Sequence, residues 1–341
     1  MSDIKKAWQQ FIQDGQRYNS EVRDVIYDSW KRCRNLGINP NQKTVSKTLN
    51  EFEFNKVLHN SRKFIDISTP YMYNLYEFVR NSGFIISLIN FEGIIIKIIG
   101  DDVIKDKLKK GGFIEGSNWS EISAGTNAIG TALFIKEPLQ VFSYEHYCMF
   151  AQVSSCSCAP IKNIDGYIIG AINLTGYDNN VNTHTLGMAV ASAYAIQNAL
   201  IMDNAKEIIK IADSYKTTIF DSISQGILAT DISGKITHIN SVAKSVLWLN
   251  RETNYNNKSI YEVLPENNET IFSIINNMSF IVDKEININT QRGTAKFNIT
   301  SRCINNGEGG CSGIVLIIEE IKRVRKMARN FSGAVASLSL D

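Results

Sequence analysis

Ile201, Ala205, Ile208, Ala212, Tyr215 and Ile219 follow one another at spacings of four, three, four, three and four. Residues so spaced share one side of an α-helix and form a heptad seam. The stretches before and after are of another kind. Both are rich in short β-branched runs separated by Gly, Asn and Asp turns, the pattern of strands and hairpins. A long helix set between two strand-rich stretches divides the chain into two α/β (α+β) units. The seam is expected to pair with the same helix of a second copy, giving a homodimer; a helix lying on its own unit is the alternative. The length of 341 residues suits about two or three domains.

Residues 1–58 read as a helical segment. Val22, Ile26 and Trp30 lie four apart on one face. Gly37 and Pro40 end that helix, because glycine suits the position after a helix and proline cannot continue one. Trp30 and Cys33 are read as packing residues. Residues 59–200 form the first α/β domain. A second helix is expected over 60–81, and strands over 84–89 and 94–99 joined by the turn Asn90-Phe91-Glu92-Gly93. Strands over 139–142, 157–161 and 167–174 complete an antiparallel sheet expected to carry helices on one side.

A long helix begins at His184, and its portion 201–219 carries the seam. Residues 220–320 predict a second α/β domain. Strands are expected at 226–230 and 236–239, with a helix from Asn240 and short helices near Ile260 and Ile271. Three more strands follow over 280–288, 294–302 and 313–318. A basic linker, 321–341, carries Lys322, Arg323, Arg325, Lys326 and Arg329. Without a groove-reading module it reads as a solvated face, with no direct DNA contact.

A net charge of +2 exerts no global pull on nucleic acid or membrane. No apolar run approaches the roughly 18 residues of a membrane span, and the N-terminus lacks the marks of a signal peptide. The six cysteines do not form a disulfide framework, so a cytoplasmic location is expected. The nearest match to a phosphate loop, Gly37 to Thr44, has Gln42 where the second glycine belongs, and fails. No cofactor and no metal site is expected.

The stretch from Gly116 to Leu133, GSNWSEISAGTNAIGTAL, reads as the floor and lid of a ligand pocket. Trp119 offers an apolar wall; Ser120, Glu121, Thr126 and Asn127 offer short polar groups. Gly125 precedes a helix that Thr126 or Asn127 would cap. A helix start beside glycine offers backbone N–H groups to a carbonyl or carboxylate. His146 and Tyr147 follow, and Cys156 and Asn173 complete the candidate ligand set. His146, Cys148, Cys156 and Cys158 are dense enough to raise metal or redox chemistry. Their spacing is that of no zinc ribbon, and packing is the plainer expectation. A Ser120–His146–Glu121 triad lacks the strained elbow that would expose a nucleophile.

The wording WSE, GTNAIGTAL, EHY, CSCAPI and IGAINLTG, in this order, resembles the GAF domain of acetoin- and dihydroxyacetone-type sigma-54-dependent transcriptional activators. GILATDISGKITHINSVAKSVL resembles the opening of a PAS domain. The resemblance implies a GAF antiparallel sheet with helices, a signalling helix and a PAS-like domain. It further implies a regulatory region that reads a small-molecule effector or a metabolic partner protein. In the family, a segment like Asn330 to Ala334 leads into an ATPase, and here the chain is expected to stop short of it. A thiol-dependent reductase of the methionine sulfoxide type and an interaction scaffold for a full-length regulator are the alternatives.

Overall fold

The computed structural model describes residues 2–17, 22–177, 184–305, 307 and 310–321. The basic run Lys322 to Arg329 and the segment Asn330 to Ala334 lie outside the described residues. The chain divides into two compact units, Met1–Glu207 and Ile208–Asp341.

The first unit opens with helices α1 (Ser2–Asp14), α2 (Asp24–Asn35), α3 (Glu51–Asn60) and α4 (Arg62–Val79). Asn50 and Glu53 close a reciprocal capping box at the start of α3, satisfying backbone donors the helix leaves orphaned. Strands β1 (Phe84–Asn90) and β2 (Ile95–Ile99) follow, then α5 (Asp102–Lys109), α6 (Glu121–Ala124) and α7 (Ala128–Ile135). β3 (Leu139–Phe142), β4 (Ser154–Lys162) and β5 (Ile168–Tyr177) complete an antiparallel sheet of order β2-β1-β5-β4-β3.

Both faces of this sheet are covered, and every residue of β1 is buried. On one face Ile86, Leu88, Ile161 and Ile172 pack with Met72 and Leu75 of α4. On the other, Ile85, Ile89, Cys156, Cys158 and Ala171 join a core with Phe11, Ile26 and Trp30 of the N-terminal helices. This corrects the expectation of helices on one side. The N-terminal segment supplies the second layer, because a sheet apolar on both faces must bury both.

Helix α8 (His184–Ser222) is a single element of 39 residues. Ala189, Ala193 and Ile196 on its first half are buried with the sheet. Its most apolar 18-residue window has a mean hydropathy of 1.3, so by length and composition alone one described helix meets the measure of a membrane span. The sequence expectation had found no such run.

The second unit takes the C-terminal part of α8, then β6 (Gly226–Asp231), β7 (Ile236–Ile239) and α9 (Ser241–Val246). α10 (Ile260–Val263), α11 (Glu269–Asn276), β8 (Ile281–Thr290), β9 (Gly293–Asn305) and β10 (Cys311–Glu320) follow, in a sheet of order β7-β6-β10-β9-β8. Alternate residues point inward: Phe297 and Ile299 of β9, and Ile314, Leu316 and Ile318 of β10, share one core with Ile271 and Ile275 of α11. A disulfide joins Cys303 to Cys311 across the β9–β10 hairpin. The sequence had not paired these two, because spacing says nothing about which residues a chain reversal brings together.

Candidate functional site

Around Gly125 the chain folds onto itself so closely that side chains are excluded. Gly125 has φ +68°, and a Cβ there would stand 2.8 Å from the Cys148 sulfur. A Cβ on Gly130 would stand 2.5 Å from the backbone nitrogen of Glu121. Asn127 ties this loop together. Its Oδ1 accepts from Gly130 N–H at 2.9 Å and caps α7, while its Nδ2 donates to Trp119 O at 3.0 Å and Gly125 O at 2.8 Å. Asn127 rather than Thr126 is the cap, and the N–H of Gly130 is held by the chain itself.

The carboxylates of this region are likewise engaged. Glu121 is buried and accepts from Arg32 Nε at 2.8 Å, Arg32 Nη2 at 2.7 Å and Ser29 Oγ at 2.5 Å. The Glu121 hydrogen bond raises the Arg32 pKa. Ser29 also meets Thr126 Oγ1 at 2.7 Å, and Cys33 lies 3.5 Å from the same oxygen. Glu145 accepts from Arg23 Nε at 2.8 Å and Nη2 at 2.6 Å. Its backbone oxygen accepts from Trp30 Nε1 at 2.8 Å, and that of Tyr147 accepts from Trp8 Nε1 at 3.0 Å. Thus WSE and EHY are the two places where α1 and α2 are fastened over the sheet. Sequence reasoning missed Trp8, Arg23, Ser29 and Arg32 as partners. For Ser29 and Arg32 the only local signal is the amphipathic spacing of α2, which names no distant contact (Ser29 and Glu121 are 92 apart).

Trp119 is buried, with ring centroids 4.9 Å from Phe113 and 5.8 Å from Phe150, and its Nε1 donates to Ser117 Oγ at 3.1 Å. Ser120 is half-buried, and its N–H donates to Asn118 Oδ1 at 2.8 Å. Tyr147 N–H donates to Thr126 O.

On the sheet, Ser87, Asn173 and Cys158 stand in register across three strands, with Thr175 opposite Cys156 beside them. Asn173 Nδ2 donates to Thr175 Oγ1 at 2.8 Å and Ser87 Oγ at 3.2 Å, while its Oδ1 has no partner. Cys156 lies 3.4 Å from Thr175 Oγ1. His146 is wholly buried; Nδ1 donates to Ser143 O at 2.9 Å and Nε2 has no partner. Burial pulls the His146 pKa down from 6.5 to about 4, so the imidazole is neutral at pH 7.

Burial pushes the thiols upward, Cys33 to about 11 and Cys148 to about 12, with Cys156 and Cys158 raised in the same direction. A reductase needs the thiolate, and these are packed thiols. The Ser120–His146–Glu121 triad does not form, since the carboxylate and the ring Nδ1 have other partners. Among the described residues no group of three or more His, Cys, Asp or Glu stands together to hold a metal ion.

The seam of α8 is open to solvent in the single chain. Ile208 is 67% exposed, Tyr215 68% and Ile219 62%, and Ala205 and Ala212 are exposed with them. Ile201, within the first unit, is 37% exposed.

Comparison with known proteins places these features. Residues 1–198 match the family described as MimR, N-terminal domain, and residues 215–321 match the PAS fold. The chain is 34% identical over 319 residues to a signal-transduction and transcriptional-control protein of Clostridium beijerinckii, covering 93% of this chain and 50% of that one. It is 30% identical over 210 residues to the acetoin dehydrogenase operon transcriptional activator AcoR of Bacillus subtilis, covering 62% of this chain and 35% of that one. It therefore spans between a third and a half of the length of these relatives. The fold is that of the N-terminal part of DhaR in the crystal structure of the E. coli DhaR(N)-DhaL complex. The TM-score is 0.77 at 18% identity, covering 88% of this chain and 100% of that one. By the match over its first 198 residues, the chain belongs to the MimR N-terminal domain family, with a PAS fold after it.

Proposed function

We propose that this chain is the signal-sensing region of a cytoplasmic transcriptional regulator, in which a GAF-type first unit receives the signal and α8 relays it toward the PAS unit. The signal is a small-molecule effector or a metabolic partner protein. The observation that carries the proposal is the seam: one unbroken helix leaves the first unit with a row of apolar residues facing water. Such a row at heptad spacing is stabilised by a second helix. The names of the relatives support a regulatory role. That the N-terminal part of E. coli DhaR forms a complex with DhaL supports a protein as one kind of effector. In the relay, the effector favours one of two packings of a parallel helix pair, which requires that it bind the two packings differently. Trp119, Ser120, Glu121, Gly125, Thr126, Asn127, His146, Tyr147, Cys156 and Asn173 are the proposed sensing region.

Light scattering tests this. The wild type is expected to be a dimer, and Ile208→Glu a folded monomer, because an unpaired charge in a desolvated seam costs about 3–5 kcal/mol. A monomeric wild type, or a variant that dimerises with unchanged affinity, refutes the paired helix.

A further inference from the structure

Of the residues in the WSE and EHY motifs, Trp119 has a second environment. It forms part of the floor of a cleft of about 250 Å³ in the first unit, together with Phe113 and Phe150. Around this aromatic floor stand Lys43, Lys107 and Lys110, and among the described residues no Asp or Glu lines the cleft. All three lysines are exposed, and Lys107 Nζ lies 4.9 Å from the ring centroid of Tyr177. None of the three makes an ion pair with a described carboxylate. Two of the neutral side-chain donors at the cleft are already used, and the Tyr177 hydroxyl is the third. The Trp119 indole N–H goes to Ser117 Oγ, and the Ser154 hydroxyl donates to Ala151 O at 2.7 Å.

This combination selects a chemistry. Aromatic walls accept an apolar body, and ammonium groups without a carboxylate partner among the described residues attract a negative charge as strongly hydrated point charges. A hydroxyl-rich ligand such as a sugar phosphate needs several neutral donors and acceptors, and beside the lysines the Tyr177 hydroxyl is the one side-chain group of that kind in the lining without another partner among the described residues. Pockets for larger ligands run from about 300 to 1,000 Å³, so the occupant is small. We propose that this cleft binds a small carboxylate with an apolar body, the ring or short alkyl group on Trp119, Phe113 and Phe150 and the carboxylate toward the lysines. The inference rests on the reading of the first unit as a sensor and gives that sensor its ligand class. It also gives a route. Phe150 follows Tyr147, whose backbone oxygen holds Trp8 of α1, and Trp119 holds the Asn127 cap of α7.

The probe is benzoate, titrated into the full chain by calorimetry and by ligand-detected NMR, with benzyl alcohol as its neutral counterpart and inorganic phosphate as an anion without an apolar body. Benzoate is expected to bind saturably and at least about tenfold more tightly than either control. Lys43→Gln, Lys107→Gln and Lys110→Gln combined should bring it to the level of benzyl alcohol with the thermal melt unchanged, since the three side chains are exposed. Phe150→Ala should weaken benzoate and benzyl alcohol alike. Benzoate binding no tighter than the controls, or as tightly to the triple lysine variant as to the wild type, overturns the proposal. If benzoate fails while Ile208→Glu still abolishes the dimer, the cleft assignment falls and the sensor reading stands. If both fail, both fall.

Discussion

At the scale of single residues, the first unit depends on charges taken out of water. Glu121 is 7% exposed, and Arg32, at 26%, is its ionic partner. Removing the guanidinium leaves a buried carboxylate with only the Ser29 hydroxyl. Arg32→Ala is therefore expected to destabilise the first unit by about 3 kcal/mol, measured by urea denaturation. A loss below about 1 kcal/mol, the range of an exposed pair, would show that Glu121 recovers water when Arg32 is gone. His146 gives a second prediction. Its folded-state pKa lies below that of the unfolded chain because burial disfavours the imidazolium. The stabilisation is then fully present above pH 6.5 and lost as pH falls from 6.5 through about 4. The loss should reach about 2–3 kcal/mol. His146→Leu should remove that part of the pH dependence, seen in denaturation curves at pH 7 and pH 5, and an unchanged profile in the variant would assign the effect elsewhere.

At the scale of elements, the junction of α8 with the second unit turns on Asn240. It is fully buried, and its Oδ1 accepts from Ile227 N–H and Ala243 N–H, both at 2.8 Å. Its Nδ2 donates to Gln225 O at 2.8 Å and Phe220 O at 3.2 Å. One side chain thereby caps α9 and binds the last turn of α8 to β6. Asn240→Ala removes a helix cap and strands buried backbone groups, at a cost of about 2–4 kcal/mol. Hydrogen exchange should show β6 and the end of α8 losing protection together. If α9 alone frays, Asn240 is a cap and no more.

At the scale of the whole chain, the two hydrophobic clusters of the first unit draw on residues up to Leu200 and on none beyond it. The second unit's cluster begins at Leu228. A fragment of residues 1–207 is therefore expected to fold by itself, with a cooperative thermal transition and dispersed amide resonances. It should lack most of the seam, because Ile208, Ala212, Tyr215 and Ile219 lie past its end, and so should dimerise more weakly than the full chain. A fragment that is molten, with secondary structure but no near-ultraviolet circular dichroism, would show that the first unit needs the rest of α8.

The sequence by itself determined the elements and much of their order. Alternating and β-branched runs placed the strands of both sheets to within a few residues, and the heptad seam located the helix that separates the two strand-rich stretches. These signals are local, since side-chain direction along a helix or strand is fixed by backbone period. The motif wording also pointed to the right family, as the match over residues 1–198 shows. What the sequence did not hold were contacts between distant residues. That both faces of the first sheet are covered, that Arg32 and Arg23 hold Glu121 and Glu145, and that Cys303 meets Cys311 are facts of chain reversal and register. The same holds for the partners of the polar loop: the side chains of Asn127 and Glu121 can serve a ligand or their own chain, and the sequence does not name the groups they meet in the fold. The approach of α2 supplied the partners of Glu121 and the fold of the loop itself those of Asn127, because a buried polar group takes whichever partner the packed chain brings within hydrogen-bond reach.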